Sequence, residues 1–316
     1  MQQPVSIEND HLAIKVYPHL GGKVASIVDK VDRHELLFNF PAEIPTESHY
    51  DMPYADGWYA GWDECFPTIG PCAYPSRPYE GIGVPDHGEL WGVPVTTAVP
   101  SKDGITVVWH GLRFGYRLTR KLYLDGSRVV AEYVLINLSP FEFRFVWAQH
   151  ALLSTLSPLE VRLPEGLPFQ EHSMVAAGPP PARFEWPTAP LGQDLSRFGD
   201  LPARRSWKVF SAEPITSAAV VAYPTRGRQL SIEFKSTHVQ GHWGLWLNNG
   251  GWESQRHIAI EPTTGCCDAV ADAVKDGSAG RVGPGGRCDW RTIWTCGPIA
   301  SVGAQNDARH PRSLEV

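Results

Sequence analysis

No stretch of this sequence is apolar for the roughly 20 residues that a membrane helix requires; its apolar runs have the length of strands. Residues 1–10 carry Glu8 and Asp10 and no apolar core, so no export signal is expected there. Lys and Arg are scattered rather than massed, and the formal net charge is −6. A nucleic-acid partner calls for a basic face, so that class is set aside. The six cysteines include no CxxC pair, and Cys266 and Cys267 are adjacent. That arrangement suits neither a common zinc site nor a simple disulfide, and reduced, mostly buried thiols are expected. His34-Glu35 opens like a zincin motif, but Phe38 stands where the second His belongs. There is no GxSxG elbow, and Gly-rich residues 277–286 are not followed by Lys-Ser/Thr. These absences leave a soluble, cytoplasmic protein without a metal site and without a nucleic-acid or membrane partner.

Helical periodicity is also scarce. The best candidate is residues 268–275 (DAVADAVK), with Asp268 as cap and Gly277 as stop. Strand signals are plentiful instead. Residues 105–110, 114–124, 129–138 and 141–149 alternate or carry β-branched and aromatic side chains, with a hairpin signal at Asp125-Gly126. Residues 217–223, 230–234, 244–247, 257–261 and 290–295 follow the same pattern. At the N-terminus, residues 13–17 and 23–28 flank Gly21-Gly22 and read as a hairpin. With 28 Pro and 30 Gly to make turns, the expectation is an all-β chain packed as a large antiparallel β-sandwich. Residues 1–300 are read as a single domain, the proline-rich residues 178–190 as a surface loop, and residues 301–316 as a flexible tail.

Three segments place ionisable groups in unusual settings: residues 86–92 (DHGELWG), 147–153 (WAQHALL) and 258–265 (IAIEPTTG). His87 lies in a Gly/Pro-bounded loop, His150 ends an aromatic strand, and Glu261 follows an apolar run. A carboxylate buried in such a run is costly unless it finds partners. A buried Glu with a nearby His has the ingredients of acid–base chemistry, and equally those of a structural ion pair such as Glu261 with Arg256.

The order of these segments resembles the aldose 1-epimerase (galactose mutarotase-like) superfamily. The resemblance runs through the Gly-Gly hairpin at residues 21–27 and the GWDECFPTIG segment at residues 61–70. It continues through His87-Gly88, His150 and Glu261-Pro262, and ends at the Pro-Gly turn of residues 282–286 before Trp290. It implies a large β-sandwich that opens and recloses a sugar ring without metal or organic cofactor. Glu261 would be the base at the anomeric hydroxyl, His150 the acid at the ring oxygen, and His87 a second histidine bonded to the sugar. Among polar and flat side chains, Asp63, Arg77, Gln255, Trp91 and Trp246 are candidate sugar contacts.

The partner implied is a small-molecule sugar, bound by a monomer or homodimer. Three competing functions stay open. One is epimerisation of a phosphorylated or sulfonated hexose, with Arg77 as the cation. Another is non-catalytic carbohydrate binding on the same fold. Glycoside hydrolysis ranks last, because Glu261 lacks a convincing second carboxylate.

Overall fold

The computed structural model describes residues 3–40, 44, 47, 49–172 and 182–299. Two antiparallel sheets dominate, one of eleven strands and one of eight, with two further two-stranded pairs. Along the larger sheet the order is Val5–Glu8, Leu12–Tyr17, Lys23–Asp29, Trp62–Cys65, Ala148–Ser154, Arg256–Thr263, His242–Asn249, Arg205–Ser211, Pro168–His172 and Arg183–Glu185. His34–Glu35 pairs beside Lys23–Asp29. The smaller sheet carries the long strands Tyr116–Asp125, Arg128–Asn137 and Arg287–Pro298, paired in continuous register. Among the described residues the single α-helix is Val270–Asp276, and no helix is long and apolar enough to cross a membrane.

The sheets pack face to face, because period-two alternation gives each an apolar side. Trp62 of the larger sheet stacks on Trp294 of the smaller, with centroids 5.4 Å apart. Gln149 on the larger sheet accepts the Trp294 indole N–H at 2.7 Å and donates to Thr292 Oγ1 at 2.8 Å. The outer face of the larger sheet is covered as well. A second apolar cluster, with Phe38, Tyr54, Trp58, Tyr59 and Trp91, packs there against Leu152 and Ala259. Ala148–Ser154 is consequently buried at every position.

Several expectations from the sequence are met, including the N-terminal hairpin of Leu12–Tyr17 with Lys23–Asp29 and the Gly277 stop, a left-handed residue at φ 84°. Three are corrected. Residues 141–149 are two strands, not one. Phe143–Phe145 pairs with Gly280–Val282, and Ala148–Ser154 joins the larger sheet. The break falls where Val146 N–H bonds Pro67 and Trp147 N–H bonds Thr264 Oγ1, so neither amide continues a ladder. Asp268 does not cap the helix: the cap position is Ala269, with no side-chain bond. In the proline-rich segment, Arg183–Glu185 is an edge strand on Pro168–His172 rather than loop; residues 178–181 and the expected tail at 301–316 lie outside the described residues.

Candidate active site

Five adjacent strands of the larger sheet build the site. Alternation turns Asp63, His150, Glu261, Trp246 and Lys208 to its outer face, while Trp62, Leu153, Ile260, Leu247 and Val209 join the inter-sheet core. Asp63 lies directly opposite His150, and Lys208 opposite Trp246. Opposite Glu261 stands Gly244, where an added Cβ would come within 3.4 Å of a Glu261 carboxylate oxygen and 3.1 Å of the Phe210 ring. The glycine leaves the room the carboxylate occupies. His87 comes from a loop outside the sheet and adopts φ 60°; Gly88 follows at φ 73°, with its Cα so close to the Phe66 backbone that no Cβ would fit. That approach sets His87 over the sheet.

The polar groups form one chain. Lys208 Nζ donates to both oxygens of Glu261 at 2.7 Å and lies 3.8 Å from Asp268, itself 3.1 Å from His172. On the other side, His150 Nε2 is 3.7 Å from Glu261 Oε1. His150 Nδ1 is 3.4 Å from the Tyr54 hydroxyl, which bonds Asp63 at 3.0 Å. Asp63 is ion-paired with the buried Lys23. The His87 ring stacks on Tyr54 at 3.7 Å and meets His150 edge-on at 4.9 Å.

Burial sets the charges. It lowers His150 well below the ordinary imidazole value, reinforced by His87 and Lys208. Burial would also lower Lys208, but Glu261 and Asp268 outweigh it and leave the ammonium raised. Burial raises Glu261, with Lys208 opposing. Tyr54 is raised well above the usual phenol value by burial and by Asp63. His257, whose Nε2 accepts the Trp246 indole N–H at 3.1 Å, is pushed down to about 3 by burial.

Above this chain opens a cavity of about 420 Å³, within the size range of small-molecule sites. Tyr54, His87, His150, Lys208, Trp246 and Trp252 line it, with Asp86 and Asp268 as acidic members. Glu261 is fully buried and does not line it; Lys208, which clamps both its oxygens, does. Trp91 lies behind Tyr54, edge-on at 5.0 Å, and its indole N–H bonds the Asp86 carbonyl. Asp63 likewise holds Tyr54 instead of facing the cavity. Gln255 sits in the turn before Arg256–Thr263, its backbone paired with Gly250 and Trp252, outside the lining. The expectation for Arg77 is corrected: its side chain is 91% exposed beside Glu80, away from the cavity, and the cation there is Lys208.

Lys208, Tyr54, Trp252, His257 and Asp268 were not legible as site residues. For Lys208 a signal existed: residues 206–209 (SWKV) alternate, which puts a lysine between aromatic and aliphatic neighbours on a strand. Among the described residues no group of three or more His, Cys, Asp and Glu is arranged to hold a metal ion.

No protein-family model matches the chain, and no curated protein matches it. Solved structures do share its fold. A galactose mutarotase-like protein from Lactobacillus casei ATCC 334 is 15% identical, with a TM-score of 0.70 over 93% of this chain and 100% of its own. A galactose mutarotase-like protein from Clostridium acetobutylicum is 13% identical, with a TM-score of 0.66 over 94% and 95%. A homologue of aldose epimerase from C. elegans is 13% identical, with a TM-score of 0.64 over 95% and 100%. The chain thus has the galactose mutarotase-like β-sandwich fold across nearly its whole length, as its motifs suggested.

Proposed function

We propose that the protein is an isomerase of the aldose 1-epimerase type, interconverting the α and β anomers of a neutral free sugar. The observation that carries this reading is the buried cluster of Glu261, Lys208 and His150 at one side of a sugar-sized cavity. Opening a hemiacetal requires one proton off the anomeric hydroxyl and one onto the ring oxygen, and this cluster offers both an acceptor and a donor. Trp246 and Trp252 offer flat faces to the C–H side of a pyranose, and Asp86 and Asp268 offer acceptors to its hydroxyls.

Charge favours a neutral substrate. The cavity's Lys208 is committed to Glu261 and flanked by Asp268, Asp86 adds a further negative charge, and Arg77 is elsewhere. Among the described residues that line the cavity, the charge of the single ammonium is thus balanced by carboxylates before an anionic hexose could enter. A protein that only binds sugar has no use for a desolvated acid–base cluster, which is costly to bury.

Optical rotation tests this on freshly dissolved α-glucose and α-galactose beside glucose 6-phosphate and sulfoquinovose. The expected result is acceleration for a neutral sugar, lost by about 10²–10⁴-fold in Glu261→Gln, with circular dichroism unchanged. Acceleration confined to the anionic sugars would overturn the neutral assignment. Saturable sugar binding with no acceleration would make the protein a binder.

A further inference from the structure

Resting on that epimerase reading, we propose that Lys208 gives the proton to the ring oxygen and His150 takes the proton of the anomeric hydroxyl, while Glu261 is their shared counter-ion. The roles implied by resemblance, Glu261 as base and His150 as acid, are thereby exchanged for a lysine–histidine pair.

The hydrogen-bond directions lead there. Asp63, ion-paired with Lys23, only accepts. Tyr54 therefore spends its single phenolic proton on Asp63, at 3.0 Å. Toward His150 Nδ1, at 3.4 Å, the tyrosine oxygen offers a lone pair, so Nδ1 carries the ring proton. His87, Lys208, His257 and Lys23 surround His150 and hold it neutral together with burial. Its Nε2 is left bare, 3.7 Å from Glu261 Oε1. His150 lines the cavity, so a ligand hydroxyl hydrogen can satisfy that nitrogen.

The donor follows from access. Glu261 does not line the cavity and Lys208 does. Two of the three Lys208 N–H groups go to Glu261, and Asp268 at 3.8 Å is beyond hydrogen-bond reach, so the third is available to a ligand. Cys65 also faces the pair, but burial keeps its thiol protonated.

The step balances. His150 Nε2 takes the anomeric O–H proton, and that oxygen's electron pair forms the C=O bond. The bond from C1 to the ring oxygen breaks, and its electron pair stays on the ring oxygen, which receives a proton from Lys208. The open aldehyde then lies beside an imidazolium and a neutral amine. Glu261, bonded to Lys208 and 3.7 Å from His150 Nε2, passes from pairing Lys208 to balancing the His150 imidazolium. After rotation about C1–C2 every transfer runs backwards and closes the other anomer.

Nitrogen NMR of the full chain locates the protons without substrate. The expected state at pH 7 is a neutral His150 with its proton on Nδ1, and a protonated Lys208; a His150 imidazolium, or a proton on Nε2, overturns the proposal. Kinetics supply the second arm. With a base that titrates below 6.5 and an acid that titrates above 10.5, kcat should be flat from pH 6.5 to 9. Were His150 the acid, kcat would fall across that interval. Both Lys208→Met and Lys208→Arg should lose about 10²-fold or more, since Arg keeps the charge but not a transferable proton. Wild-type kcat in Lys208→Arg would reduce Lys208 to a counter-ion. If the wild type accelerates no sugar, the epimerase reading fails, and the nitrogen shifts still decide the proton placement.

Discussion

Two glutamates of the larger sheet, Glu64 and Glu261, are both buried, both raised by desolvation and both paired with one buried cation. They differ in what else surrounds them. Glu64 faces the inter-sheet core and accepts from Arg120 at 2.9 Å, Tyr133 at 2.8 Å, and the indoles of Trp62 and Trp147 at 3.0 and 2.8 Å. Its lone pairs are satisfied by four donors that reach no cavity. Among the described residues Glu261 has Lys208 alone as donor, and beside it an imidazole too far to bond. Burial and a shifted pKa therefore do not distinguish the two carboxylates; saturation of their hydrogen bonds, and whether the paired cation lines a cavity, do.

Breaking the two clusters should give opposite phenotypes. The largest effect is catalytic, the loss expected in Glu261→Gln. Next comes Arg120→Met, which strands Glu64 without its counter-charge and should cost about 3–5 kcal/mol of stability. That shift is read from the urea midpoint, and the activity of the molecules that remain folded should be unchanged. Activity lost without a midpoint shift would mean that the Glu64 cluster also serves the site. Smaller in size, Trp252→Ala removes a flat wall of the cavity and should raise KM about tenfold with little change in kcat, a loss of about 1.4 kcal/mol of uniform binding.

Acid sharpens the contrast further. His257 binds a proton near 6.5 when unfolded and only near 3 when folded. Its contribution is complete above pH 6.5 and is lost as the pH falls toward 3, because the unfolded chain then binds the extra proton. His257→Gln should flatten the pH dependence of stability in that window by about 1.4 kcal/mol per pH unit, measured by urea unfolding at pH 7, 5.5 and 4.5. An unchanged slope would place His257 in contact with solvent. Smallest of all, Arg77→Ala should stay within about 0.5 kcal/mol in stability and leave KM unaltered, as an exposed side chain does.

Much of the fold was legible because strands announce themselves locally. Alternation marked the long strands of the smaller sheet, and Gly21-Gly22 marked the first hairpin. Arg205–Ser211 was overlooked, and with it Lys208, because the alternation from Ser206 to Val209 is short and the adjacent Val209 and Phe210 break its period. Asp63-Glu64 could be taken for a turn, since two adjacent acids reveal nothing until alternation sends one to the site and the other to the core. Tyr54 comes from a covering layer with no periodic signature.

The sequence by itself determined the β architecture and singled out His87, His150 and Glu261, because each rests on neighbours in the chain. Only the tertiary structure decided which cation meets which carboxylate. Lys208 and Glu261 are 53 residues apart, and Tyr54 and His150 are 96 apart. Their pairing depends on sheet order and on the depth of burial, which no local pattern encodes.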